Sequence, residues 1–322
     1  MRSAPRVLVL AGVLIAASLS TRPAHAYVRG VADDGKHQLY WSSSCETVTI
    51  YLNGFSAMTP DEVAKSIGAA AAAWGPDSVT CPADAGDGGN GHPSFEILPQ
   101  LASGGSATAD PMDGKNLIVF DTASSDLGPE VLARTSVSKE PNGHIVDADI
   151  EINATSQDIL WANLDSGAPP PKNGQLRFDL QTVMTHEFGH FLGLAHTCIG
   201  AGDGTTVSSD SDSPPPGSED DSGRLIPGCT DLPDSTNATQ AQAVMWYVID
   251  TESTTKRVLT TDDARGVCAI YPPTRNSPVC TQNLPDDGCG CTTAGAPTNR
   301  LAAVALAGLV LAARRRRRTQ RD

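Results

Sequence analysis

The chain of 322 residues has no apolar run long enough to cross a bilayer comfortably. Its two apolar stretches, residues 7–19 and 301–313, hold thirteen residues each, against about 20 for a transmembrane helix. Basic residues are also scarce. Three of the 23 Lys and Arg precede residue 27 and seven lie in residues 292–322, so residues 27–291 carry 13 basic side chains against 36 Asp and Glu. A surface that negative disfavours nucleic acid and anionic membrane as partners and favours solubility and cation binding. No internal repeat is present, and the length allows one or two domains.

Both ends read as addresses rather than as parts of a fold. Arg2 and Arg6 precede the first apolar stretch, and Ala24-His25-Ala26 offers small residues at the two positions a signal peptidase reads. Residues 1–26 are therefore expected to be a signal peptide. The second stretch is flanked by Arg300 and by the run from Arg314 to Arg318, where snorkelling arginines can hold a short segment and a basic block tends to stay cytoplasmic. Just before it stands Cys289-Gly290-Cys291. A Cys-containing signal, an apolar segment and an Arg cluster in this order resemble the bacterial C-terminal sorting tails called MYXO-CTERM, which implies processing and display on the cell surface. The residues alone also suit an ordinary tail anchor or a disordered basic end. The expected organisation is a signal peptide at 1–26, a folded domain at 27–273 with an acidic insertion at 199–236, a linker and sorting signal at 274–291, and a hydrophobic segment with an Arg-rich tail at 292–322.

Eight cysteines in an exported chain read as disulfides rather than thiols. Connectivity is not readable from sequence; the pairing expected is Cys45 with Cys81, Cys198 with Cys229 and Cys268 with Cys280, which leaves Cys289 and Cys291 to the sorting signal.

Between the ends, β-branched and aromatic residues at 48–52 predict a strand. Thr59-Pro60-Asp61-Glu62 is a capping box with proline at the first helical position, opening an Ala-rich helix that runs to Trp74. Residues 81–93, rich in Gly, Asp and Asn, predict a loop, and 95–98, 117–120 and 131–137 predict short strands. Residues 145–152 predict another strand, with acids at every second position from Asp147 to Glu151, so one of its faces should be wet. From His196 to Met245 the chain is mostly Ser, Pro, Gly and acids; residues 203–234 hold eight acids against Arg224 alone. Such composition cannot bury a core, and predicts a mobile loop stapled at its base by Cys198 and Cys229, serving as a substrate-gating or calcium-binding lip or merely as a solvated insertion. A last helix, capped by residues 259–263, ends at Tyr271-Pro272-Pro273.

The chemistry concentrates in residues 179–196, DLQTVMTHEFGHFLGLAH. As a helix capped by Asp179, this stretch puts Leu180, Met184, Phe188 and Phe191 on one apolar stripe. His186 and His190 lie one turn apart and can hold one metal ion. Gly193 can take the left-handed conformation that ends a helix, so the chain can return His196 toward the same ion. Three neutral nitrogens suit Zn2+ with a fourth position left for water, and Glu187 is placed to take that water's proton. A bare H-E-x-x-H pattern arises by chance in unrelated chains, but Gly193 and His196 extend it to H-E-x-x-H-x-x-G-x-x-H.

That longer string resembles the metzincin zinc proteases. Metzincins place a methionine in a tight turn beneath the zinc, and Met245 stands where that turn is expected. The matrixin branch is similar at residues 259–271, LTTDDARGVCAIY, at the strand residues 147–153, DADIEIN, and at the helix ending at Trp74. The likeness spans roughly residues 48–271. Matrixins carry histidines for a second, structural zinc where this chain has Glu151 and, in the edge strand, near Arg134, so that site is not expected. Residues 27–48 leave too little room for an inhibitory propeptide. Tyr247, two residues after Met245, has the spacing at which astacins and serralysins place a tyrosine near the zinc, which implies a stabiliser of the oxyanion.

The resemblance implies an α+β, zincin-like (metzincin) catalytic domain: a twisted mixed sheet of about five strands with three main helices. It implies a zinc metalloendopeptidase in which His186, His190 and His196 bind Zn2+, Glu187 is the general base and Met245 forms the Met-turn. Structural Ca2+ is expected on family grounds and from the acidic loops, although no single loop has a clean calcium spacing. An extended polypeptide substrate, a monomer, and a membrane contact only through the tail complete the expectation. The competing reading is a surface-displayed zinc-binding or adhesion module without protease activity, whose usual sequence mark would be loss of the glutamate that is present here as Glu187. The exported protein should begin at Tyr27 on N-terminal sequencing, and a start elsewhere would refute cleavage after Ala26.

Overall fold

A computed structural model describes residues 27–275, apart from 84, 86–89, 123–126, 130, 167–169, 172–173, 200–218, 220–224 and 230–240. The expected signal peptide, the linker and sorting tail with Cys280, Cys289 and Cys291, and most of the acidic insertion lie outside the described residues. In chain order the elements are β1 (Val28–Arg29), β2 (Cys45–Tyr51), α1 (Pro60–Trp74), β3 (Glu96–Leu101), β4 (Leu117–Asp121), β5 (Ala133–Lys139), β6 (Ile145–Asn153), β7 (Ile159–Ala162), β8 (Leu176–Asp179), α2 (Leu180–Phe191), β9 (Leu194–Ala195) and α3 (Thr261–Ile270). Single 3-10 turns occur at Leu164–Ser166 and Thr255–Arg257. Among the described residues no helix is long and apolar enough to cross a membrane.

Five strands form one mixed sheet in the order β3-β2-β4-β6-β5. The first four run parallel, and β5 closes one edge antiparallel to β6, with Thr135 opposite Ile150. β4 reads LIVFD and is buried at its first four positions, the continuous apolar run of a strand covered on both faces. Among the described residues this is the α+β architecture with a mixed five-stranded sheet and three helices that the metzincin resemblance implied. The small pairs β1-β9 and β7-β8 carry no marked alternation, and sequence reading did not anticipate them.

The alternating acids of β6 do not make a wet face. Asp147 and Asp149 are 1 % and 0 % exposed. Their carboxylates instead collect backbone N–H groups from the loop before β4 and from the first residue of that strand: Leu117 N and Asp110 N donate to Asp149 (2.8 and 2.6 Å), and Gly114 N donates to Asp147 (2.8 Å). Burial pushes Asp149 up to about 6, with those N–H groups opposing it. The loop folds over this face because the two carboxylates satisfy donors that it would otherwise bury unpaired.

α1 opens as its capping box requires: Thr59 N donates to Glu62 Oε2 (2.9 Å) and Glu62 N to Thr59 Oγ1 (3.2 Å). Its buried face, Val63, Ile67, Ala70, Ala71 and Trp74, packs on α2. Small alanines allow the two helices to approach closely. At the end of α1 the Trp74 indole donates to Thr185 O of α2 at 2.8 Å.

The disulfides depart in part from expectation. Cys198 pairs with Cys229, as expected. Cys81, however, pairs with Cys268 and not with Cys45, across a sequence separation of 187. Cys45 is disulfide-bonded as well. Proximity along the chain misleads here because α3 returns to the end of α1 and sets Cys268 beside the segment after Trp74; Gly91, whose carbonyl accepts from Cys81 N, packs against Pro273 just beyond α3. A Cys81→Ser/Cys268→Ser variant should lose about 2–5 kcal/mol of stability in denaturant titration, and an unchanged unfolding midpoint would show that this link is dispensable.

Candidate metal centre

α2 is held at both ends. Asp179 caps it, accepting from Thr182 N and Thr182 Oγ1, each at 2.8 Å. Asp179 is fully buried, and Arg257 donates to it through Nε and Nη2 at 2.7 and 2.5 Å. Burial alone would raise this carboxyl, but the Arg257 guanidinium and the local N–H donors outweigh it and hold the group below its ordinary value. At the other end the last carbonyls of a helix need partners. Trp41 Nε1 donates to Phe191 O (2.8 Å) and Tyr271 Oη to Leu192 O (2.9 Å). Gly193 then takes φ +98°, and a Cβ there would lie 2.9 Å from Leu39 O. Only glycine fits both demands, and the chain turns back through β9 to His196.

His186, His190 and His196 converge as the spacing requires. Their Nε2 atoms lie 3.1 Å (186 to 196), 3.1 Å (186 to 190) and 3.2 Å (190 to 196) apart. His186 Nδ1 donates to Val244 O (2.7 Å) and His190 Nδ1 to Leu194 O (2.9 Å). A carbonyl can only accept, so each Nδ1 carries its ring's proton and, in the neutral imidazole, each Nε2 presents a lone pair to the others. Burial first, and then the neighbouring histidines, lower His186 and His196 well below the ordinary imidazole value, so that those two rings are neutral. Inward lone pairs at such distances repel unless a cation lies among them. Ligand nitrogens about 2.0–2.1 Å from a tetrahedral zinc sit roughly 3.3–3.4 Å apart, within a few tenths of an ångström of the triangle found. The donor set therefore fits zinc, and these three residues could hold a metal ion.

The surrounding shell is built by the segment that follows the insertion. Val244 O orients His186, while Val244 N donates in turn to Asp263 Oδ2 (3.0 Å) at the first turn of α3. Asp263 also closes the capping box of α3 with Thr260. Met245 is 1 % exposed and lies against α2: a Cβ on Gly189 would be 2.1 Å from its Sδ. Lys256 is buried beneath the same segment, donating to Val248 O (2.6 Å), and burial pushes it down to about 8. Asp263 was legible only as a cap, and nothing in the sequence marked Lys256, whose partners are backbone carbonyls.

Glu187 is 5 % exposed, and Thr135 of β5 donates to its Oε2 at 2.7 Å. Tyr247 is half-buried; its ring packs on Trp246 with centroids 4.9 Å apart, beside the Cys198–Cys229 disulfide. Where matrixins have structural-zinc histidines, Arg134 and Glu151 face each other across β5 and β6 and form an ion pair at 2.6 Å.

Residues 173–262 match the family model Peptidase_M43, described as pregnancy-associated plasma protein-A. The match covers the zinc-binding string and the segment through Met245 to the start of α3. No curated protein matches the chain. The family is one of metzincin-type zinc metalloproteases, and the match together with the histidine triad supports a zinc metalloprotease. Because Met245 fills the space beside Gly189, Gly189→Ala should displace it, costing about 1–3 kcal/mol in thermal unfolding and weakening zinc retention on dialysis; wild-type values for both would refute the packing argument.

Proposed function

We propose that the protein is an exported, surface-displayed or secreted zinc endopeptidase that cleaves extended polypeptides. The observation that carries this reading is the convergence of three Nε2 atoms beside a buried glutamate one residue from the first of them. Zinc held by His186, His190 and His196 would supply Lewis acidity, polarising the scissile carbonyl and acidifying a water. Glu187 takes the proton of the attacking water and delivers it to the leaving amine. Tyr247 steadies the developing oxyanion by its hydroxyl. The edge strand β5 receives the substrate as an added strand through main-chain hydrogen bonds, which suits peptides of varied sequence. Within the metzincins, the Peptidase_M43 match covers the zinc string and Met245, while the matrixin likeness rests chiefly on α3, β6 and α1. Calcium bound by the acidic loops, a monomeric state and tethering through the tail belong to the same proposal.

The full-length protein should contain about one zinc per chain and cleave a peptide library in a manner abolished by chelation and restored by zinc. Glu187→Gln should keep the metal and lose cleavage by about 10²–10⁴-fold. Equal cleavage by apo and metal-loaded protein, or full activity in Glu187→Gln, would end this assignment.

A further inference from the structure

We propose that Thr135 is a positioning residue for the general base: its hydroxyl pins one oxygen of the Glu187 carboxylate and so helps to set the orientation in which the group meets the attacking water. The inference rests on the peptidase reading above for its consequence, although the contact itself does not.

β5 alternates, and its inward positions are Ala133, Thr135 and Val137, with Ala133 and Val137 packed against the main core. Thr135 is the one fully buried residue of the strand, 1 % exposed. An apolar side chain of the same shape would suit that place, and Val137 fills the next inward position with one. Burying a hydroxyl there costs free energy unless it is hydrogen-bonded. Among the described residues its acceptors both belong to Glu187: the carboxylate Oε2 at 2.7 Å and the backbone O at 3.3 Å. A hydroxyl has one proton to give, and the short, charge-assisted bond takes it.

The terminal torsion of a glutamate is broad, so a short hydrogen bond to one carboxylate oxygen narrows the orientations the group samples. Fixing one oxygen sets the plane of the group, and a base held in its working orientation has no ordering cost left at the moment of proton transfer. The arrangement also places the orienting residue on the strand whose open edge is proposed to hold the peptide. Substrate and base are thereby referred to the same strand.

The test uses the full-length protein and the variants Thr135→Val, which keeps the shape and removes the hydroxyl, and Thr135→Ser, which keeps the hydroxyl. Zinc content and KM should stay at wild-type values in both. In Thr135→Val kcat should fall by about 10- to 100-fold, and in Thr135→Ser it should return to within about threefold of wild type. Crystal structures of the zinc-loaded proteins should show the Glu187 carboxylate turned from its wild-type orientation in the valine variant and retained in the serine variant. A carboxylate unmoved in Thr135→Val, or a kcat there within twofold of wild type, overturns the proposal. So does a serine variant as impaired as the valine one, which would mark Thr135 as a mere strut between β5 and α2. Should the valine variant not fold, Thr135→Ala against Thr135→Ser makes the same comparison. If the wild-type protein cleaves no peptide while the carboxylate still turns in Thr135→Val, the peptidase reading falls and the positioning contact stands.

Discussion

Three imidazole Nε2 atoms lie within 3.2 Å of one another, and those of His186 and His190, whose ring protons are spent on backbone carbonyls, turn lone pairs inward, an arrangement that a bound cation would relieve. Most of the fold around them can be understood as the means of holding them there. Two of the rings sit on one rigid helix, which costs only the four-residue spacing. The third must be brought back, and that requires the helix to stop abruptly, its last carbonyls to be satisfied, and the next residue to take a conformation open to glycine. Trp41 and Tyr271, which come from distant parts of the chain, supply the donors, and Gly193 supplies the conformation.

A second constraint runs through the backbone of Val244. Its carbonyl fixes the tautomer of His186, and its N–H is fixed by Asp263, so α3 reaches the His186 ring through a single peptide unit. Met245 is locked by the absence of a side chain at Gly189. The far end of α2 is anchored by the part-buried Arg257 on the buried Asp179, a pair that helps hold the helix in place and leaves Asp179 ionised as a cap. The Arg134–Glu151 pair is of another kind: part-buried at the sheet edge, it joins β5 to β6 and contributes modestly.

Much of this was legible because it is local. The capping boxes at Thr59 and Thr260, the cap at Asp179, the apolar stripe of α2, the histidine spacing and the turn at Gly193 are each written within a few residues, and local hydrogen-bonding geometry has little freedom in how it reads them. Where local pattern had to stand in for tertiary context, it failed. Alternating acids in β6 indicate a solvated face only if nothing folds over it, and here a loop does, drawn by its own unpaired N–H groups. Cysteines near one another in sequence were paired in expectation, whereas α3 carries Cys268 back to Cys81.

The sequence by itself therefore determined the donor set, the glutamate beside it, and the order of helix, glycine turn and methionine, because these depend on spacings along one continuous segment. What the tertiary structure decided was which distant groups complete them: the indole and phenol that close α2, the aspartate behind Val244, and the threonine on β5 that meets Glu187 across 52 residues of chain. A threonine in a strand is ordinary until the helix packed on it shows what its hydroxyl faces.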